Sequence, residues 1–196
     1  MLRTAIETPL SQLISSSSTM TSSDHGFFPN ANLPPQDYIE AACNKAPEGR
    51  GIPPSSQPGE PVVAWVKYGP YVTIHEALTQ DYVAKELNTM PETTVRAPRV
   101  YAFFSTPTTS WTIGHIVMEY IDAPDSTFED VSLVAQAVQK LISIRGPSSV
   151  PGHIGGGPVI HSFFVFDEIS PFIYQGARDL QSHVNGVSGR QFSTEA

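Results

Sequence analysis

The first 60 residues are the feature that most limits what this chain can fold into. They contain tracts of serine and proline at residues 15–18, 33–35 and 52–59. Segments of this composition carry too few apolar side chains to build a packed core. We therefore expect residues 1–60 to form a Pro/Ser-rich, largely disordered N-terminal segment, with at most one short helix over residues 36–43. The rest of the 196-residue chain has room for one domain.

Charge and cysteine content exclude several classes of protein. Eleven basic against nineteen acidic residues give a net charge of −8, which argues against a nucleic-acid partner or an anionic membrane surface. The single cysteine, Cys43, excludes an internal disulfide and fits a reducing compartment. No apolar run approaches the roughly 18 to 20 residues of a membrane span. The sequence thus predicts a cytoplasmic protein with no nucleic-acid and no membrane partner.

Regular elements are expected from Pro61 onward. A β-branched and aromatic run at residues 62–68 predicts a buried strand, and the Gly69-Pro70 pair ends it. Thr73 and Glu76 have the spacing of a capping box at the start of a helix. The predicted elements after that first strand are a helix over 74–88, strands over 99–104 and 112–121, and helices over 128–144 and 171–184, followed by an unstructured tail from 186.

Three features of this order resemble the protein-kinase-like fold, in its aminoglycoside and choline phosphotransferase branch. They are the Val63-Ala64-Trp65-Val66-Lys67 strand, the helix right after it, and the string 116–122. The resemblance covers residues 61–185 and implies an α+β fold. It implies a kinase-like small lobe and a hinge over 61–121, in which the lobe is an antiparallel sheet plus one helix, and then a partial helical lobe over 122–185. The lack of any helix or strand pattern predicts a disordered tail over 186–196.

The resemblance implies that Lys67 binds phosphates of ATP and that a carboxylate holds its ammonium group. Glu76 and Glu86 lie nine and nineteen residues after the lysine, and both are candidates for that carboxylate. Glu76 is favoured because it stands at the start of the helix in a string similar to that of phosphotransferases of this type. A capping role alone would also explain Glu76.

The string 116–122 is similar to the hinge that joins the two lobes in this family. Met118 would then be the gatekeeper beside adenine, and the Glu119 carbonyl and the Ile121 N–H would bind the adenine edge through the backbone. An ordinary buried strand ending in a turn at Ala123-Pro124 is the other interpretation.

The catalytic part of the family pattern has no counterpart in the sequence. Phosphoryl transfer in this fold uses an aspartate beside the substrate hydroxyl, an asparagine shortly after it, and a second aspartate on magnesium. None is recognised, so we identify no catalytic and no metal-binding residue. ATP and Mg²⁺ are implied by the resemblance only.

The resemblance therefore implies a phosphotransferase-type domain, truncated before its catalytic loop, and we expect no turnover from it. In the complete family the acceptor of the phosphoryl group is a hydroxyl on a small molecule or a protein. The alternative is a non-catalytic interaction module or pseudokinase-like binding protein.

Overall fold

The structure, a computed structural model, describes residues 25–45, 50–53, 59–164 and 168–191. These residues form an α+β fold with a four-stranded antiparallel sheet in the order β1-β2-β4-β3. The strands are β1 Arg50–Ile52, β2 Ala64–Gly69, β3 Val100–Pro107 and β4 Thr112–Met118. The helices are α1 Gln36–Cys43, α2 Ile74–Asn88, α3 Val131–Ser143 and α4 Ala177–Gln191, with a short 3₁₀ turn at Phe128–Asp130 before α3.

The two central strands of the sheet, β2 and β4, come from distant parts of this sequence. Lys67 lies opposite Ile116, and Tyr68 lies opposite His115. Strands β3 and β4 form a hairpin, whose turn is closed by the Thr108 N–H donating to the Trp111 carbonyl at 2.7 Å. Alternation along β2 therefore puts Trp65 and Lys67 on one face of the sheet, and Ala64, Val66 and Tyr68 on the other.

Each face of the sheet carries its own apolar core. On the α1 side the buried residues include Ile39, Cys43, Val66 and Val117. On the α2 side they are Phe27, Val72, Ala77, Val100, Ile116 and Met118. A helix packs on each face, because a sheet with two apolar faces must cover both.

The expectation that little of residues 1–60 packs is wrong for the part that the structure describes. Ile39 and Cys43 of α1 are fully buried against the sheet, Ile52 is fully buried within it, and β1 pairs with β2. A lobe with one helix, as predicted, would leave one apolar face of the sheet exposed. In the structure α1 packs on that face. The remainder of the segment, residues 1–24, 46–49 and 54–58, lies outside the described residues.

The two later helices also differ from their predictions. The last helix begins at Ala177 instead of residue 171, and it continues to Gln191, so the predicted tail is helical at residues 186–191. Its first turn is held by the Gln175 N–H donating to the Asp179 carboxylate at 3.1 Å. Helix α3 has the expected position but none of its residues is buried. Its exposed apolar residues are Val131, Leu133, Val134, Val138, Leu141 and Ile142.

Among the described residues, none of the helices has the length and apolar character needed to cross a bilayer. The cytoplasmic location stays a prediction.

Candidate functional site

The candidate site lies where β2 meets the start of α2. Lys67 projects from β2 toward the α2 face, and its ammonium donates to the Glu76 carboxylate in an ion pair. The Glu76 backbone N–H donates to the Thr73 hydroxyl at 3.3 Å, so Thr73 caps the helix. The structure thus separates the two interpretations of Glu76, since Thr73 provides the cap and the Glu76 side chain pairs with Lys67.

Glu86 was the other candidate partner for Lys67. It lies ten residues further along α2, which at 1.5 Å per residue is about 15 Å from Glu76 along the helix axis. The structure therefore brings Lys67 to Glu76 and not to Glu86.

Gly114 fixes where α2 begins relative to the sheet. The segment between β2 and α2 crosses β4 so closely that a Cβ atom on Gly114 would lie 1.9 Å from the Val72 carbonyl oxygen. Only glycine permits that approach. Because Val72 directly precedes the capping Thr73, this contact sets the position of the first turn of α2, and with it the position of Glu76.

Both partners of the ion pair face solvent. The Lys67 side chain is 52% exposed and that of Glu76 is 36% exposed. Exposed pairs of this kind contribute only about 0–1 kcal/mol to stability. The pair is thus accessible to a ligand, and its charges are not required to hold the fold.

The predicted hinge residues lie at the end of β4 on the same side of the sheet. Met118 is the last residue of β4, and its buried side chain accepts from the Gln80 amide, with 3.3 Å between nitrogen and sulfur. The Glu119 carboxylate pairs with Arg96 at 2.5 Å. Ile121 lies in an exposed, non-helical connection over residues 119–127, so β4 ends three residues earlier than predicted.

An aromatic pair that the sequence did not reveal stands beside the predicted hinge residues. The rings of Trp65 and Tyr120 stack with centroids 6.4 Å apart and an interplanar angle of 21°. They are 38% and 37% exposed, and Trp65 lies opposite Met118 in the sheet. The period of two along β2 could have revealed Trp65, because it places residues 65 and 67 on one face. The pair offers an exposed aromatic surface to a planar ligand.

The glycine-rich segment 152–157 packs against the first turns of α2. His153 stacks on His75, the neighbour of Glu76, with ring centroids 3.4 Å apart. Burial, and then the nearby His153, lower the pKa of His75 from its usual 6.5. A Cβ on Gly155 would lie 3.1 Å from a methyl carbon of Leu78. This loop thus lies beside the first turns of α2, which carry Glu76.

No cluster of three or more histidine, cysteine, aspartate or glutamate side chains that could hold a metal occurs in the described part of the chain. Comparisons of the sequence with protein-family models, and of the chain with curated proteins and solved structures, give no match.

Proposed function

We propose that this chain binds ATP on the α2 face of its sheet, as a kinase-like small lobe that does not itself transfer the phosphoryl group. The observation that carries the proposal is the ion pair between Lys67 on β2 and Glu76 in the first turn of the next helix. An ammonium group held in place by a carboxylate, and still half exposed, is suited to contact phosphate oxygens.

The hinge supports the same proposal through the nucleoside end of the ligand. Residues 119–121 follow β4 in an extended connection, next to the exposed rings of Trp65 and Tyr120. A purine could lie against these rings while its edge meets the backbone of Glu119 and Ile121. Stacking on aromatic side chains is worth about 1–3 kcal/mol per base where it has been measured in single-stranded nucleic-acid complexes.

ATP supplies a transferable γ-phosphoryl group and brings Mg²⁺ on its phosphates. In this chain Lys67 fits the phosphates, since its ammonium is exposed on the correct face. We assign no residue to Mg²⁺, because the described residues offer no cluster of metal ligands. We also assign no aspartate to the acceptor hydroxyl, so we expect binding without turnover.

Equilibrium binding of Mg-ATP, followed by tryptophan fluorescence and by thermal melting, tests the proposal. At about 100 times the dissociation constant, binding adds about 2.7 kcal/mol of stability. For a chain of this length that corresponds to a rise in Tm of about 5–10 °C. Lys67→Met should weaken binding about 10- to 100-fold, because a hydrogen bond to a charged group is worth about 1.5–3 kcal/mol.

Lys45→Met is the matched control, since it removes one exposed lysine at the end of α1, away from the site. Wild-type protein and Lys45→Met should bind equally. If Lys67→Met binds Mg-ATP as tightly as Lys45→Met, the assignment of Lys67 to the phosphates is wrong. Phosphorylation of any acceptor by the wild-type chain would contradict the expected lack of turnover.

The exposed apolar face of α3 favours a second candidate function, that of an interaction module. Six large apolar side chains on this one helix are exposed. Contiguous apolar surface of this kind is often an interaction site. Failure of Mg-ATP to raise the Tm, together with a partner whose binding is lost in Val134→Asp, would favour this function over nucleotide binding.

A further inference from the structure

A pocket lies on the opposite face of the sheet from Lys67. It has a volume of about 250 Å³ and lies between the C-terminal half of α1 and the adjoining ends of β2, β3 and β4. Its lining includes Glu40 from α1 and Tyr68, Thr106, Ile113 and His115 from the strands. This is smaller than the pockets of about 300–1,000 Å³ that hold drug-sized ligands, so a compact occupant is indicated.

Three rings on neighbouring strands form the base of this region. Tyr68 and Phe104 both lie directly opposite His115 in the sheet. The ring centroid of His115 is 5.9 Å from that of Tyr68 and 4.5 Å from that of Phe104, with interplanar angles of 15° and 13°. Registered pairing on three adjacent strands therefore holds the imidazole at a fixed position.

This base contains polar atoms without protein partners. His115 is only 4% exposed, and its Nδ1 has no hydrogen-bond partner among the described residues. The buried Thr106 hydroxyl also has no hydrogen-bond partner among the described residues. Burial lowers the pKa of His115, so at neutral pH it is an uncharged imidazole with one accepting nitrogen. An unpaired buried polar group is costly, which favours an occupant able to form hydrogen bonds.

The charge of the pocket selects the kind of occupant. Glu40 contributes a carboxylate, and none of the described lining residues is lysine or arginine. One carboxylate oxygen accepts from the Gln36 amide at 2.7 Å, which leaves accepting capacity on both oxygens. The Tyr68 ring adds an aromatic surface, which attracts cations. An acidic, aromatic and partly apolar pocket fits a small cation better than an anion.

We propose that this pocket binds a small organic ammonium ion, whose N–H groups donate to the Glu40 carboxylate while its carbon atoms contact Ile113 and the ring of Tyr68. The proposal is independent of ATP binding, since Lys67 and the hinge lie on the other face of the sheet. We expect a dissociation constant of about 1 mM for a ligand of this size.

Two-dimensional ¹H–¹⁵N NMR of the full chain tests this site, with n-butylammonium as the probe and 1-butanol as its uncharged counterpart. We expect saturable shifts for the amides of Glu40, Thr106 and His115 with n-butylammonium. With 1-butanol the same shifts should require at least about tenfold more ligand, since hydrogen bonds to charged groups are the stronger ones. Shifts that are equal for the two probes would refute a site selective for ammonium.

Substitution of Glu40 separates a specific site from a general attraction to an acidic chain. Glu40→Gln keeps the size of the side chain and should weaken n-butylammonium binding about tenfold. Glu40→Lys should abolish it. The matched control is Glu92→Gln, which removes the same charge from an exposed loop residue and should change nothing. Unchanged amide shifts of the other α1 residues in the same NMR spectra would show that α1 remains folded in each variant.

Three results would overturn the proposal. The first is unchanged binding in Glu40→Gln. The second is a set of shifts centred on Lys67 and Glu76 instead of the pocket. The third is the lack of any saturable shift up to about 100 mM probe, which would mean that ordered water alone meets the polar atoms of His115 and Thr106.

Discussion

Replacement of Gly114 by alanine is expected to be among the most damaging single-methyl changes in this fold. The added Cβ would lie 1.9 Å from the Val72 carbonyl oxygen and 2.8 Å from its carbon. Ordinary contacts begin at 3.4 Å, so the backbone at Val72 would have to move by about 1.5 Å, which is 3.4 − 1.9. Overpacking of a core costs about 1–3 kcal/mol, and more where backbone must move. We expect a loss of about 3 kcal/mol or more.

Urea denaturation of the Gly114→Ala variant measures this loss directly. Thermal melting should show a decrease in Tm of about 6–12 °C for a chain of this size. Gly176→Ala is the matched control, since a Cβ there would meet nothing within 4 Å. A change of less than about 1 kcal/mol in the unfolding free energy of Gly114→Ala would refute the close contact between Gly114 and the Val72 carbonyl. A smaller m-value would instead indicate that two-state unfolding is lost.

Three further predictions concern the core, the ion pair and the histidines. Ile39→Ala removes a fully buried side chain and should lower the free energy of unfolding by about 2–5 kcal/mol in urea; a loss below about 1 kcal/mol would mean that α1 does not pack on the sheet. A double-mutant cycle of Lys67→Met and Glu76→Gln should give a coupling free energy of at most about 1 kcal/mol, which vanishes near 1 M salt. A coupling free energy above about 2 kcal/mol would contradict the exposure of the pair. Burial lowers the pKa values of His75 and His115 below 6.5, so their contribution to stability is complete above pH 6.5 and declines as the pH falls below it. His75→Gln should reduce this slope in urea melts between pH 7 and 5, and an unchanged slope would contradict the lowered pKa of His75.

Local sequence patterns predicted the elements whose own residues favour a strand or a helix. The β-branched run before Gly69 and the Thr73 cap mark β2 and the start of α2, and both are confirmed. The α+β class with an antiparallel sheet is confirmed as well. The pairing of Lys67 with Glu76 is observed, while the nucleotide-binding role of both residues stays a prediction.

Elements that depend on distant partners were missed for a physical reason. Ile52 stands before two prolines, and its strand of three residues is stabilised by pairing with β2 and by packing of Ile52 in the core beside α1. Propensity cannot detect such a strand, because the stabilisation comes from tertiary contacts. In helix α4 local propensity points the other way. The glycines at 186 and 189 disfavour a helix, and yet the helix continues through them to Gln191. The pocket beside His115 combines residues from α1 and three strands, so no local motif could reveal it.

The strand order has a consequence for the sequence of events during folding. Strands β3 and β4 are joined by a four-residue turn, whereas β2 reaches β4 only after α2 and β3 have been passed along the chain. Closing the longer loop costs more chain entropy, and non-local pairing is slow. The β3–β4 hairpin is therefore expected to form first, and β2 to dock onto it later. Docking of β2, which brings Lys67 opposite Ile116, is then the slow step of folding.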